Sequence, residues 1–501
     1  MVEAILITFL IIISSVWLFK RRRNQSRYSV PPRITLKGKI SNTLLSPFSR
    51  YPRVFDLVFN TSWFIFGHAT LPDKPNIFKS LELDDLQNQA VRACGGIDDF
   101  GDDWYERAFR RVIERVNSAS YSPIGKAAVH NFLTRRLMTR LRFNKELSLE
   151  SNRGWDRIRV RRPVFVMGLP RTGTTYLHRL LSLDPACRAP LTWELYDPTP
   201  RIRAGDNFLS KDERLRVEYI DRATRALLAV TPHLLDCHEM GANLPEECML
   251  AMGMDLPVLF STFHLLIAKP YDHFEWDGTV VYQNYAKFLQ LLQFQAETNK
   301  ISSKSNKRWV LKAPIHLGLI KYLYKGFPDA HIVWTHRDPR EAVASLASFL
   351  RSSLVSCFTF KYMFCINSFS VLNSEIHKDF HEGSSSIHLD ELGTDAYHFS
   401  QWILQKADTF LSDPDNSSCN RSHVQYRKLV DDPINVVRLL YNEFGYDFTS
   451  EYECILKTHL KVEHEKREKS CHGHKYTLDE YDLDEEIIAK DMTWYTDKYL
   501  L

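Results

Sequence analysis

Nine cysteines are scattered through 501 residues without one Cys-x-x-Cys pair and without the His and Cys spacing of a metal site. That pattern excludes an ordinary zinc module and a dense disulfide framework, and the odd count leaves at least one thiol without an intramolecular partner. Cys471-His472-Gly473-His474 crowds its donors together with no partner cluster, so it reads as a loop, with His474 or Lys475 able to close over a ligand. No metal is expected. Charge of one sign is also scarce: the net charge is +4, too small to point to nucleic acid. No internal repeat is evident, which argues against solenoids and propellers.

What is present is a globular composition, 44% hydrophobic and 25% charged, on a chain long enough for a large core. Residues Val2 to Phe19 are almost wholly apolar and are followed at once by Lys20-Arg21-Arg22-Arg23. A helix of about 17–20 such residues just spans a bilayer. A cleaved signal peptide would carry its charges before the apolar core and small residues after it, and this segment does neither. Residues 1–23 therefore read as a single uncleaved membrane anchor with its basic flank, and the positive-inside rule puts everything after them in the cytosol. Sequons at Asn60-Thr61-Ser62, Asn416-Ser417-Ser418 and Asn420-Arg421-Ser422 point the other way, to an ER or Golgi lumen, which stays as the alternative.

Residues 24–80, rich in Pro, Ser and aromatics, read as a connector. Residues 81–160 read as a helical cap region, with a basic amphipathic helix through Arg107–Val116 and another near Lys126–Leu141. An α/β domain over 161–501 follows. Its strands are expected at 164–167, 309–311, 331–334 and 424–426, alternating with helices at 173–183 and 211–230, after Lys312, after Arg337 and from Pro433 to Gly445. Segment 355–395 reads as an irregular excursion. The fold class is thus α/β: a P-loop-like parallel sheet flanked by helices, with ligands at the carboxyl ends of the strands.

The decisive absence is a lysine. Gly168-Leu169-Pro170-Arg171-Thr172-Gly173-Thr174-Thr175 has the spacing of the phosphate loop G-x-x-x-x-G-K-[ST], but Thr174 stands where the lysine belongs. Such a loop aims backbone N–H groups and a helix N-terminus at an anion. The nearest cation is Arg171, inside the loop. A phosphate-bearing donor fits; ordinary ATP or GTP hydrolysis does not. A P-loop kinase or NTPase, and a non-catalytic nucleotide-binding protein on the same fold, remain the alternatives.

Two further blocks stand at expected strand ends: Trp309-Val310-Leu311-Lys312-Ala313-Pro314-Ile315-His316, and Thr335-His336-Arg337-Asp338-Pro339-Arg340-Glu341-Ala342-Val343-Ala344-Ser345. With Gly168–Thr175 they resemble the sulfotransferases that use 3′-phosphoadenosine 5′-phosphosulfate, in the group carrying G-x-P-R-[ST]-G-T-T. The likeness covers roughly residues 90–495. It implies transfer of a sulfuryl group to a hydroxyl or amine on a small-molecule, lipid or glycan acceptor, with no metal. It implies that Arg171, Thr172, Gly173, Thr174 and Thr175 hold the 5′-phosphosulfate. It implies that Arg337 and Ser345, eight residues apart, hold the 3′-phosphate. Lys312 suits the leaving bridging oxygen. Glu194 in Thr192-Trp193-Glu194-Leu195 is the first choice for the base, though pairing with Arg188 is about as fitting a role, and His238 is the second. Glu246 and Glu247 are expected to line or support the acceptor pocket, and the apolar stretch with Phe260 and Phe263 suits a hydrophobic acceptor. Tyr426 faces either the adenine or the core. His316 reads as structural or pocket-lining.

Overall fold

The computed structural model describes residues 80–118, 123–200, 208–230, 238–256, 277–298, 307–363, 389–469 and 477–500. The expected anchor, the 24–79 connector, Phe260 and Phe263, and His474 and Lys475 lie outside them. No helix of the described residues is long and apolar enough to cross a membrane.

The chain enters through three helices, α1 (Leu83–Ala93), α2 (Trp104–Ser118) and α3 (Pro123–Ser148). It then builds β1 (Val164–Gly168), α4 (Thr174–Ser182), β2 (Cys187–Arg188) and α5 (Thr192–Tyr196). Next come α6 (Phe208–Val230), α7 (Met249–Met252), α8 (Thr279–Thr298), β3 (Arg308–Lys312), α9 (Ile320–Gly326) and β4 (His331–His336). The last part holds α10 (Pro339–Met363), α11 (Leu389–Ser412), β5 (Arg421–Gln425), α12 (Tyr426–Asp431), α13 (Pro433–Phe444), α14 (Ser450–Lys469), α15 (Glu485–Asp491) and α16 (Thr493–Tyr499).

Among the described residues the strands form one parallel sheet in the order β2-β3-β1-β4-β5. Both faces are covered, and the period of two is visible in the core. Phe165, Met167, Leu311, Ile332 and Trp334 join the larger apolar cluster, which residues of α1, α2, α3, α8, α9, α10 and α11 complete. Val164, Val166, Val310, Val333 and Val424 point to the opposite face, against α4, α13 and α14. Central β1 pairs with β3 on one side and β4 on the other, so the chain leaves β1 at the topological switch point, where open α/β sheets bind ligands.

Strands β1, β3 and β4 fall where the alternation puts them, while the last strand, expected at 424–426, begins earlier, at Arg421. β5 ends at Gln425, and Tyr426 is the first residue of α12 rather than the end of a strand. The segment expected to be irregular is largely regular at its ends: α10 runs to Met363 and α11 starts at Leu389. Helix α13 opens on Pro433 and closes on Gly445, whose φ of +66° is the left-handed turn that ends a helix. Two elements were not read from the sequence, one for lack of a signal and one in spite of it. Strand β2 is two residues long. Helix α8 does carry a signal, which the sequence reading passed over: Val281, Tyr282, Tyr285, Phe288, Leu289 and Leu292 are buried at helical spacing, with Gln283, Lys287 and Gln290 on the other side.

Candidate functional site

The carboxyl end of β1 is shaped by a close approach. A Cβ on Gly168 would lie 2.3 Å from Thr335 Oγ1 and 2.6 Å from the Thr335 carbonyl oxygen, so β1 passes β4 too closely for any side chain. The loop then rises through Arg171, held at a φ of +73°, and turns into α4 at Gly173, with a φ of +86°. No side chain caps this helix end. The first amides of α4, at Thr174 and Thr175, have no acceptor within the helix, the arrangement that suits an anion.

Thr172 turns its hydroxyl inward. Its hydroxyl is buried, donates to the Leu169 carbonyl at 2.7 Å and lies 2.6 Å from Thr335 Oγ1. Its amide closes a turn on the same carbonyl at 3.3 Å. It braces the loop from inside.

Lys312 ends β3 beside β1, paired with Val166, and its side chain is fully buried. Its ammonium donates to Thr175 Oγ1 at 3.1 Å and to Glu247 Oε1 at 2.6 Å. The cation missing from the loop sequence therefore stands beside the loop, supplied by the neighbouring strand. His178 and His316 are both buried near it. Burial, and then the Lys312 charge, push each down to about 3, so both are neutral. His178 Nε2 meets the Val310 carbonyl at 3.1 Å and His316 Nδ1 meets Tyr282 Oη at 2.7 Å.

The segment after His238 adds two carboxylates in sequence that face different partners. Glu246 Oε2 lies 2.8 Å from His238 Nε2, and its Oε1 accepts from the Glu247 amide at 2.9 Å. Burial would raise Glu246, but His238 first, then Lys312 and the Glu247 amide, hold it at about 2. It is a carboxylate at any ordinary pH. Glu247 next to it serves Lys312. Adjacent residues thus connect the imidazole to the ammonium.

Glu194 is placed otherwise. Its Oε1 accepts from Arg188 Nη2 at 3.0 Å and its Oε2 from the Leu191 amide at 3.0 Å, and both charged side chains are almost fully buried. The Arg188 guanidinium also lies 4.2 Å from the centroid of the Trp309 ring. Glu194 therefore clamps β2 to the start of α5, with each carboxylate oxygen engaged.

The third block comes together at the end of β4. Asp338 receives the Arg340 amide at 2.9 Å and the Arg340 guanidinium, and Pro339 opens α10, a well-formed helix start. Arg337 is not part of that pair. Its Nε donates to Glu341 Oε2 at 2.9 Å and its Nη1 to the Arg171 carbonyl at 2.9 Å. Its guanidinium lies 4.6 Å from the Tyr426 ring centroid, and that ring also lies against Gly173. Ser345, buried on α10, accepts from Arg171 Nε at 3.0 Å. Arg171, Gly173, Arg337, Ser345 and Tyr426 therefore form one group. His336 belongs elsewhere: it is buried between Tyr495 and His423, at 3.0 and 2.8 Å.

The sequence reading missed Thr335 as the loop's brace, Glu247 as the partner of Lys312, and Glu341 as the holder of Arg337. Glu341 had a findable signal, since it stands four residues after Arg337.

A model of the sulfotransferase family matches residues 163–450. Among solved structures the chain is similar to the sulfotransferase STF9 from Mycobacterium avium, at 24% identity over 83% of this chain and 96% of that one, with a TM-score of 0.62. It is also similar to the sulfotransferase STF1 from Mycobacterium tuberculosis H37Rv, at 24% identity over 82% of this chain and 98% of that one, with a TM-score of 0.58. At that identity the likeness to these two speaks for the fold. A search of curated proteins found no match.

Proposed function

The chain belongs to the sulfotransferase family, and we propose that it takes its sulfuryl group from 3′-phosphoadenosine 5′-phosphosulfate and passes it to a hydroxyl or amine of a small-molecule, lipid or glycan acceptor. One observation carries the choice of this donor over ATP: Lys312 donates to Thr175 Oγ1. In P-loop nucleoside triphosphatases with G-x-x-x-x-G-K-[ST] that hydroxyl faces magnesium and the lysine lies within the loop. Here an ammonium from the next strand takes the hydroxyl, which suits a transfer whose developing charge is met by protein donors. The cluster of Arg337 and Ser345 supports a second phosphate beyond the loop.

In this reading the acceptor oxygen attacks sulfur in line while the bond from sulfur to the bridging oxygen breaks. Charge collects on that leaving oxygen of adenosine 3′,5′-bisphosphate. Lys312 stabilises it, and the first amides of α4 hold the 5′-phosphate and sulfonate. The acceptor proton goes to His238. Because Glu246 is ionised, it only accepts hydrogen bonds, so His238 Nε2 carries the hydrogen that faces it, and in the neutral imidazole Nδ1 is the nitrogen that takes the proton. Glu246 then stabilises the imidazolium as it forms.

Calorimetry on the full chain tests the donor. Adenosine 3′,5′-bisphosphate is expected to bind roughly 10- to 100-fold more tightly than ADP, the worth of a charge-assisted phosphate contact. Equal or absent binding of the bisphosphate would sink the assignment. For the base, radiosulfur transfer from the donor to a model phenol is expected to fall about 10²-fold in His238→Gln. Glu194→Gln is expected to melt earlier, because Arg188 loses its counter-charge, while each folded molecule turns over normally. If Glu194→Gln instead kept its melting and donor binding but lost transfer, the base would be Glu194.

A further inference from the structure

Thr175 and Arg179 stand four residues apart on α4, so they share one face of that helix. Thr175 Oγ1 receives Lys312 Nζ at 3.1 Å. Arg179 reaches Glu239, with Nη1 on its carboxylate and Nη2 on its main-chain carbonyl at 3.1 Å. Glu239 directly follows His238. The contacts therefore close a ring. It runs from Thr175 through Lys312 to Glu247, through the adjoining Glu246 to His238, and through Glu239 and Arg179 back to α4. The later part of this segment is stitched down by backbone bonds. The Trp193 amide takes the Ala242 carbonyl at 3.2 Å, the Thr192 amide takes the Leu244 carbonyl at 3.0 Å, and the Cys248 amide takes the Lys312 carbonyl at 2.8 Å. At its start, among the described residues, Arg179 alone bonds Glu239. Glu239 is exposed, and an exposed ion pair adds little stability. What the pair fixes is a main-chain position one residue from an imidazole.

Resting on His238 as the base, we propose that Arg179 is a positioning residue that sets the place of His238 against Lys312. In-line transfer puts the base on the acceptor side of sulfur and the cation on the leaving-oxygen side, so the gap between them decides the alignment. One face of α4 spans that gap: Thr175 touches the ammonium and Arg179 holds the backbone beside the imidazole. The planar fork of arginine engages the carboxylate and the carbonyl together, which a single ammonium does less well. Arg179 touches neither the donor nor the acceptor in this arrangement, and it acts on the reaction through His238.

The test is single-turnover radiosulfur transfer by the full chain to phenol and to 4-nitrophenol, a more acidic acceptor that depends less on a base. Arg179→Gln is expected to transfer roughly 10-fold more slowly to phenol, the scale of a misplacement of under about 1 Å. Its transfer to 4-nitrophenol is expected within about threefold of wild type. Arg179→Lys, which still reaches one of the two oxygens, should recover part of the rate. Glu239→Gln, which keeps the carbonyl contact, should lose less than Arg179→Gln. Affinity for adenosine 3′,5′-bisphosphate should stay within about threefold, and melting within about 3 °C, because the pair is partly exposed. Added to His238→Gln, Arg179→Gln should cost nothing further, since both act through one group. An unchanged rate on phenol, or an equal loss on both phenols, in a variant that melts like wild type would overturn the positioning role. If Arg179→Gln melts early, Glu239→Gln carries the test by the same comparison of the two phenols. His238→Gln transferring at the wild-type rate would instead overturn the base reading itself.

Discussion

Lys312→Met is expected to slow single-turnover radiosulfur transfer about 10³-fold, the scale of losing a donor aimed at developing negative charge in a dry site. Affinity for adenosine 3′,5′-bisphosphate should change by less than about tenfold, since that product lacks the sulfonate and its contacts in the transition state. The geometry behind this is the fully buried ammonium, bonded to Thr175 and Glu247. A complication follows from the same geometry. Removing the lysine leaves Glu247 without its cation, which costs up to about 3 kcal/mol for a largely buried pair. The double variant Lys312→Met/Glu247→Gln removes both charges, and its melting should return close to wild type. Its transfer should stay lost. That separation of stability from rate distinguishes a catalytic ammonium from a structural one. Transfer by either variant at more than a tenth of the wild-type rate would refute the role.

Gly168→Ala is expected to destabilise the domain by about 3 kcal/mol or more, the upper range for overpacking a close-packed core. The added methyl would meet Thr335 Oγ1 at 2.3 Å, the Thr335 carbonyl at 2.6 Å and Thr172 Oγ1 at 2.8 Å. Two of these atoms sit on side chains, but the carbonyl belongs to β4, and Gly168 pairs with Thr335 in the central ladder. Relief requires the two middle strands to part, against a spacing that backbone hydrogen bonds fix at about 4.8 Å. Adding Thr335→Ala should recover only part of the loss, because the hydroxyl goes and the carbonyl remains. Denaturant melts measure both. A midpoint for Gly168→Ala within about 1 kcal/mol of wild type would show that the approach is not tight.

Strands β1, β3 and β4 were legible because each is an apolar run closed by a chemically distinctive residue, β1 by Gly168, β3 by Lys312 and β4 by His336, whereas β5 reads Arg-Ser-His-Val-Gln. The eight-residue interval from Arg337 to Ser345 was legible for the same reason, as it spans a strand end and the first turns of the helix that follows. Glu194 shows where local reading stops. Its position after the loop helix suited a base, but whether Arg188 would reach it depended on how β2 sits beside β3. Thr172 is similar: the motif gives its place in the loop, while the inward turn of its hydroxyl comes from Thr335 on β4.

The sequence by itself determined a parallel α/β sheet, a glycine loop without its lysine, and the placing of the Thr335–Ser345 block at a strand end. These follow from patterns within one element or between neighbouring ones, where chain connectivity fixes the geometry. Only the tertiary structure decided which charges meet. Lys312 and Thr175 are 137 residues apart, Lys312 and Glu247 are 65 apart, and Arg171 and Ser345 are 174 apart. Strand order brings them together by setting β3 and β4 on either side of β1, and that order is settled by the packing of both faces at once.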